Sequence, residues 1–159
     1  MSTAGKIADQ KRELQLSRLI DAPREKLYRA WTEPELLKQW FAPLPYTTPV
    51  AELDVRPGGA SLIVMRGPDG AEFPNRGQYL AVEPAQRLVF TDAYVGDWEA
   101  GQQAFMTVTI TLVPDGAGTL YTARVAHWSE ADRERHEQMG FHTGWAQCAE
   151  QLAELAATL

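Results

Sequence analysis

Closely spaced turn sequences divide the middle of the chain into short segments and constrain how these segments can pair. Pro57-Gly58-Gly59 suits a type II turn, because proline presets one φ angle and the glycine after it accepts a positive φ angle. Further turns are predicted at Pro68-Asp69-Gly70, Glu83-Pro84-Ala85 and Pro114-Asp115-Gly116. Parallel strands need long crossover connections, so segments joined this tightly are expected to pair antiparallel.

The segments between these turns have the length and character of strands. Residues 13–20 also alternate, and the predicted strands are residues 13–20, 50–56, 60–66, 71–82, 86–94, 103–113 and 119–128. From Met106 to Leu112 every second residue is apolar and the residues between them are threonines. This alternation predicts a sheet with one buried face and one wetter face.

Helices are predicted before and after this run of strands. Asp21-Ala22-Pro23 opens a first helix, since proline is tolerated in the first turn. Thr32-Glu33-Pro34-Glu35 has the pattern of a capping box and predicts a second, short helix that ends near Gln39. Ser129-Glu130-Ala131-Asp132 predicts the start of a long C-terminal helix that includes Gly140, with an apolar stripe at spacings of three and four.

The order of elements predicts an α+β fold. A seven-stranded curved antiparallel sheet would wrap around the long C-terminal helix, with two short helices between strands 1 and 2. Residues 1–12 are small and polar and are expected to be a flexible N-terminus, and residues 13–159 are expected to form one domain. A curved sheet touches a helix along a line, so we expect a cavity where the sheet curls away.

The composition argues against several classes of function. The net charge is −6, and no cluster of Lys and Arg exceeds two neighbours, so nucleic acid is not an expected partner. Cys148 is the only cysteine, which excludes an intrachain disulfide. No apolar stretch has the length of a signal sequence or a membrane span, so we expect a cytoplasmic protein without membrane insertion.

The three histidines do not form a predicted metal site. His136 and His142 are six residues apart and would point away from each other on a helix, so no metal and no cofactor is expected. His127 ends an inward-facing row of a strand. It could be a hydrogen-bonded histidine at a strand end, a polar tip in a pocket, or a general base.

Seven motifs together resemble a known protein family. They are Ile20-Asp21-Ala22-Pro23-Arg24-Glu25, Ala30-Trp31-Thr32-Glu33-Pro34, Gln39-Trp40-Phe41-Ala42-Pro43, Asp54-Val55-Arg56-Pro57-Gly58-Gly59, Met65-Arg66-Gly67-Pro68-Asp69-Gly70, Gln86-Arg87-Leu88-Val89-Phe90-Thr91 and Gly144-Trp145. Over about residues 13–157 the chain resembles the START-like, or SRPBCC, superfamily, in the branch of the C-terminal domain of the activator of heat-shock-protein ATPase. The resemblance implies the helix-grip fold and a deep pocket between sheet and C-terminal helix, in which relatives hold apolar small molecules. It also implies a chaperone partner and a link to the stress response, on the branch name alone.

Binding of an apolar small molecule in this cavity, as a non-catalytic carrier or sensor, is the leading functional hypothesis. Aromatic rings provide large apolar walls and methionines an adaptable lining, although ordinary core packing explains each residue taken singly. The candidate ligand-binding residues are Trp40, Phe41, Ile63, Met65, Phe73, Tyr79, Phe90, Trp98, Met106, Val108, Tyr121, His127, Phe141 and Trp145. Trp98 belongs to the long segment 92–102, which is predicted to be either a lid over the mouth of the pocket or a mobile loop without that role.

Two alternative functions remain open at this point. One is an enzyme of cyclase or hydrolase type that uses His127 or the carboxylates of Glu52 and Asp54, which lie about 7 Å apart along one strand face. An exposed, solvated strand also explains these two acids and is the preferred interpretation. The other is a protein-interaction module that acts on a chaperone, and either a monomer or a homodimer is compatible with the sequence.

Overall fold

The structure is a computed structural model that describes residues 11–159. Its helices and strands are β1 (Glu13–Ile20), α1 (Arg24–Thr32), α2 (Pro34–Leu37), β2 (Thr47–Leu53), β3 (Ala60–Arg66), β4 (Glu72–Glu83), β5 (Arg87–Thr91), β6 (Met106–Asp115), β7 (Gly118–His127), α3 (Glu130–Gln138) and α4 (Phe141–Ala156). The greater part of the predicted flexible segment 1–12 lies outside the described residues.

All seven strands form one antiparallel sheet in the order β1-β7-β6-β5-β4-β3-β2. The predicted antiparallel sheet is therefore confirmed. The last strand in the sequence, β7, pairs with the first, β1. One row of inward side chains crosses five neighbouring strands and consists of Leu14, Val125, Val108, Phe90 and Tyr79. Four of these five are buried, and Phe90 keeps partial exposure.

The first two helices lie against the inner face of the sheet. Leu27, Ala30 and Trp31 are the buried residues of α1, as expected for an amphipathic helix. The predicted capping box at Thr32-Glu33-Pro34-Glu35 is wrong, because Glu33 precedes α2 without a side-chain cap. Thr32 still belongs to α1, and its hydroxyl donates to the carbonyl oxygen of Tyr28 one turn earlier.

The predicted long C-terminal helix is divided in two at Gly140. This residue has a φ angle of 97°, which favours glycine, and α4 begins directly after it. The predicted cap at the start of α3 is confirmed, since the Ser129 hydroxyl accepts a hydrogen bond from the Asp132 amide at 3.1 Å. α3 buries no residue, so no apolar stripe holds it in line with α4.

α4 is fastened along one side to the segment that follows α2. The Gln151 side chain donates to the carbonyl oxygens of Trp40 and Ala42 at 3.0 and 2.8 Å, and it accepts from the Leu44 amide at 3.1 Å. The Cys148 thiol donates to the carbonyl oxygen of Phe41. α4 also packs against α1 and β1. It is thus the helix enclosed by the curved sheet, as the predicted fold requires.

Candidate functional site

The concave face of the sheet is only partly covered by the helices. Leu88 and Val108 are buried there, whereas Phe90 and Met106 face the same side and keep partial exposure. The strand register places Phe90 opposite Val108 and Met106 opposite His127. These pairs form a continuous lining from the middle of the sheet to the end of β7.

Packed aromatic rings fill the middle of this concave face. The Trp31 ring lies 4.8 Å from that of Trp40, 6.0 Å from that of Phe41 and 5.6 Å from that of Phe90. Phe90 is also 6.4 Å from Tyr79. These distances are typical of favourable ring contacts. Trp40 and Tyr79 are buried, so part of the predicted ligand-binding set contributes to the core.

A second group of rings lies where β7 ends and α4 begins, and we name it the histidine cluster: His127, His136, Phe105, Phe141 and Trp145. The centroid of the Phe105 ring is 5.3 Å from that of His127 and 5.2 Å from that of His136. His136 is 5.1 Å from Phe141, which in turn stacks on Trp145 at 5.1 Å. The cluster therefore brings together β7, α3, α4 and the loop before β6.

Hydrogen bonds link His127 to the backbone of Arg12 and to the ring of His136. Nδ1 of His127 lies 2.7 Å from the carbonyl oxygen of Arg12, which can only accept, so this nitrogen carries the hydrogen. With a single hydrogen on the His127 ring, its Nε2 is an acceptor, and Nδ1 of His136, 2.9 Å away, donates to it. Nε2 of His136 is left with a lone pair. No residue from 11 to 159 provides it with a hydrogen-bond partner, and it is not sealed from solvent.

The environment of the histidine cluster keeps His136 neutral. Burial, and then the proximity of His127, lowers the pKa of His136 to about 4. Asp92 lies close enough to His127 for electrostatic interaction, and its Oδ1 accepts hydrogen bonds from the amides of Phe105 and Met106 at 2.9 and 3.1 Å. Burial raises the pKa of Asp92, although these hydrogen bonds oppose the change. The Arg135 guanidinium lies 4.9 Å from the centre of the Phe105 ring.

The structure brings most of the predicted ligand-binding residues to the concave face, but not all of them. Phe73 is 46% exposed and contacts Tyr46 near the outer end of β4. It lies opposite Met65 on the strand register, where both sides of β4 are exposed. The buried residues Ile63, Val108 and Tyr121 belong to the core of the concave face.

Trp98 does not lie over the mouth of the concave face. Its amide donates to Oε1 of Gln78 at 2.8 Å, and its side chain is 58% exposed. Gln78 and Tyr79 are neighbours in β4 and point to opposite faces, and Tyr79 points inward. The segment 92–102 therefore packs over the outer face of the sheet, where Gly96 approaches Ala60 closely.

Glu52 and Asp54 also belong to the outer side of the sheet. Both are exposed, and they line an open cleft of about 360 Å³ together with Arg76 and Val95. Asp54 accepts a hydrogen bond from Arg56 at 2.9 Å. A second cleft of about 470 Å³ is lined by β1 residues and by Arg133, Glu137 and His142. Neither cleft lies between the sheet and α4.

Sequence reasoning did not place His136 and Phe105 in the histidine cluster, and it did not place Asp92 near His127. His127 and His136 are nine residues apart, so the sequence would predict contact between them only if the chain turned back on itself between them. The chain does so at Ser129. His142 instead lies 3.0 Å from a carboxylate oxygen of Glu137. Within residues 11–159 no three His, Cys, Asp or Glu side chains are grouped as metal ligands.

Two further observations concern the chemistry that the described chain can support. Burial raises the pKa of the Cys148 thiol to about 12, so the thiolate required of a nucleophile is disfavoured. None of the helices formed by residues 11–159 combines the length and the apolar character that a membrane crossing needs.

Comparison with known proteins supports the fold and assigns the family. Protein NE0264 from Nitrosomonas europaea is 41% identical, with a TM-score of 0.92 over 94% of this chain and 97% of that one. Protein CV1439 from Chromobacterium violaceum is 29% identical, with a TM-score of 0.75 over 91% and 96% of the two chains. No curated protein matches. The family model described as activator of Hsp90 ATPase homolog 1-like protein matches residues 21–157, and the chain therefore belongs to this family, with the helix-grip fold of the SRPBCC type.

Proposed function

We propose that this protein binds an apolar small molecule between the concave face of its sheet and α4, as a carrier or sensor and without catalysis. The observation that carries the proposal is the partial exposure of Phe90, Met106 and Trp145, whose neighbours on the same surface are buried. Apolar side chains that meet water on a concave surface are typical of ligand sites.

The two aromatic groups give the proposed site a floor and an end. The Trp31 ring contacts both Phe90 and Phe41, and the histidine cluster lies where β7 ends. The unbranched side chain of Met106 lies between them, and it can adapt to ligands of different outline. Rotation of these partly exposed side chains, rather than an enclosed empty chamber, is how we propose that the site makes room.

Fluorescence of the neutral probe N-phenyl-1-naphthylamine tests this proposal. Phe90→Ala and Trp145→Ala remove ring surface from the proposed site, and each is expected to weaken probe binding about tenfold. Phe73→Ala and Trp98→Ala remove comparable rings from other surfaces and are expected to leave it unchanged. Equal affinities in all five proteins, or no binding to the wild type, would contradict the proposal. Native mass spectrometry of protein from its own host then identifies a retained ligand.

Binding to another protein is a second candidate function, supported by one observation. Leu44, Tyr46 and Phe73 are exposed, and the rings of Tyr46 and Phe73 lie 6.2 Å apart. A second copy of this chain or a chaperone could cover them, and a role in the stress response would follow from the chaperone alone. Sedimentation of the wild type and of Phe73→Ser, with and without the chaperone, tests this. Identical masses in every case count against it.

A further inference from the structure

The geometry of the histidine cluster points to the chemical class of the ligand. We propose that the ligand is an apolar molecule with a hydroxyl group or another neutral hydrogen-bond donor, and that Nε2 of His136 accepts its hydrogen. This inference rests on the proposed function, because it concerns one end of the same site.

The direction of the hydrogen bonds follows from the Arg12 carbonyl oxygen, which can only accept, when each histidine ring carries one hydrogen. The Arg12 carbonyl oxygen accepts from Nδ1 of His127, and Nε2 of His127 therefore accepts from Nδ1 of His136. With one hydrogen on each ring, both histidines thus carry it on Nδ1. The lone pair on Nε2 of His136 is the acceptor that this chain of bonds leaves open.

The surroundings of His136 suit a ligand that is apolar next to its polar group. Phe105, Phe141 and Trp145 lie within 5.2, 5.1 and 6.3 Å of the His136 ring, measured between centroids. A ligand seated on these rings takes water away from Nε2. A ligand with a donor replaces that lost hydrogen bond, whereas one without a donor leaves a polar atom unsatisfied, which is unfavourable.

The charges around the cluster disfavour an anionic ligand group at this point. A carboxylate would face the lone pair of Nε2, and Asp92 is a further source of negative charge near His127. Arg135, the nearby cation over Phe105, is also paired with Asp132 at 3.3 Å and is exposed. The site therefore selects a neutral donor over a fatty-acid type of head group.

Three probes with the same ring system test the inference. They are 2-naphthol, which has a donor, 2-methoxynaphthalene, which has only an acceptor, and 2-naphthoate, which is anionic. We expect the wild type to bind 2-naphthol about tenfold more tightly than either other probe, the ratio that one hydrogen bond supplies. His136→Phe should abolish this preference, because 2-naphthol loses its acceptor and 2-methoxynaphthalene no longer leaves a polar atom unsatisfied. His142→Phe, a histidine outside the cluster, should retain it.

Nitrogen-15 NMR of the wild type provides a second measurement that needs no variant. Both His127 and His136 should show a protonated Nδ1 and an unprotonated Nε2, and 2-naphthol should shift the Nε2 resonance of His136. Equal affinity for all three probes, or an Nε2-protonated His136, overturns the inference while the apolar site stands. No binding of any probe overturns the proposed function and the inference together.

Discussion

Nε1 of Trp31 donates a hydrogen bond to the hydroxyl oxygen of Tyr121 over 3.2 Å, and this bond joins α1 to β7. Both side chains are buried, and burial raises the pKa of the Tyr121 phenol, so the hydroxyl stays protonated. The same Trp31 ring contacts Trp40, Phe41 and Phe90. The bond therefore fixes the ring on which the middle of the concave face is built.

Tyr121→Phe is expected to lower the free energy of unfolding by about 2 kcal/mol, because it leaves a buried indole N–H without an acceptor. Urea denaturation measures the change. Tyr94→Phe is the control, since Tyr94 is exposed, and it should have an effect within about 0.5 kcal/mol. Equal stability of Tyr121→Phe and Tyr94→Phe would show that the bond contributes nothing.

Gln151→Ala is expected to lower the free energy of unfolding by about 2–3 kcal/mol, because three hydrogen bonds between α4 and residues 40–44 are lost. The amide of Leu44 should then exchange its hydrogen with solvent faster, as it loses its acceptor. Glu150→Ala, at the exposed neighbouring position, should change neither quantity. Unaltered exchange at Leu44 in the Gln151 variant would refute the role of this fastening.

Gly140→Ala and Gly144→Ala are expected to have opposite effects on stability. Nothing lies within 4 Å of a Cβ built on either residue, so only the backbone distinguishes them. Gly140 has a φ angle of 97°, and alanine there should cost about 1 kcal/mol. Gly144 lies inside α4, and alanine there should stabilise by up to about 1 kcal/mol. Thermal unfolding measures both, and a stabilising Gly140→Ala would mean that α3 and α4 can form one helix.

Stability should fall between pH 6.5 and pH 4 because of His136. Its pKa in the folded protein is lowered to about 4, from an ordinary value of 6.5. As the pH falls through this range, the unfolded chain binds a proton before the folded chain does, and this favours unfolding. The contribution of neutral His136 to the free energy of unfolding is therefore complete above pH 6.5 and is lost as the pH falls to 4. Its size should be about 1–2 kcal/mol, less than for a sealed ring, because the partly exposed His136 is screened by solvent.

The comparison of wild type with His136→Phe isolates this pH dependence. His127, Asp92 and Arg135 are the titratable or charged groups that face His136 or its ring neighbours, and the pKa of Asp92 is raised, with the opposite effect on stability. All three remain in the variant, so they largely cancel in the difference between the two urea titrations. A difference that is constant from pH 7 to pH 4 would contradict the prediction.

The fold was predictable because local signals agreed with one another. The turns at Pro57-Gly58-Gly59 and Pro114-Asp115-Gly116 required antiparallel pairing, and the alternation from Met106 to Leu112 identified the buried face. The spacing of apolar residues in the last helix does not indicate that the helix is divided at Gly140. The positive φ angle of Gly140 depends on how α3 and α4 each pack against the rest of the protein. The spacing of apolar residues along a helix carries no information about that packing.

The site was less predictable than the fold for a related reason. Strand parity placed Phe90, Met106 and His127 on one surface, as the structure does. It could not place Trp98, because a loop between two strands can fold over either face of a sheet. It also could not pair His127 with His136, since that contact depends on the angle at which α3 leaves β7.

α3 buries none of its own residues, yet it carries His136 into contact with the aromatic rings. The core is built from the sheet, the first two helices and α4, so mutations along α3 are expected to leave the core intact. Under the proposed function, a substitution of His136 would exchange the polar atom next to a guest molecule while the rest of the scaffold stays as it is. Descendants of one ancestral chain could in this way come to prefer chemically different guests through changes in a single short helix.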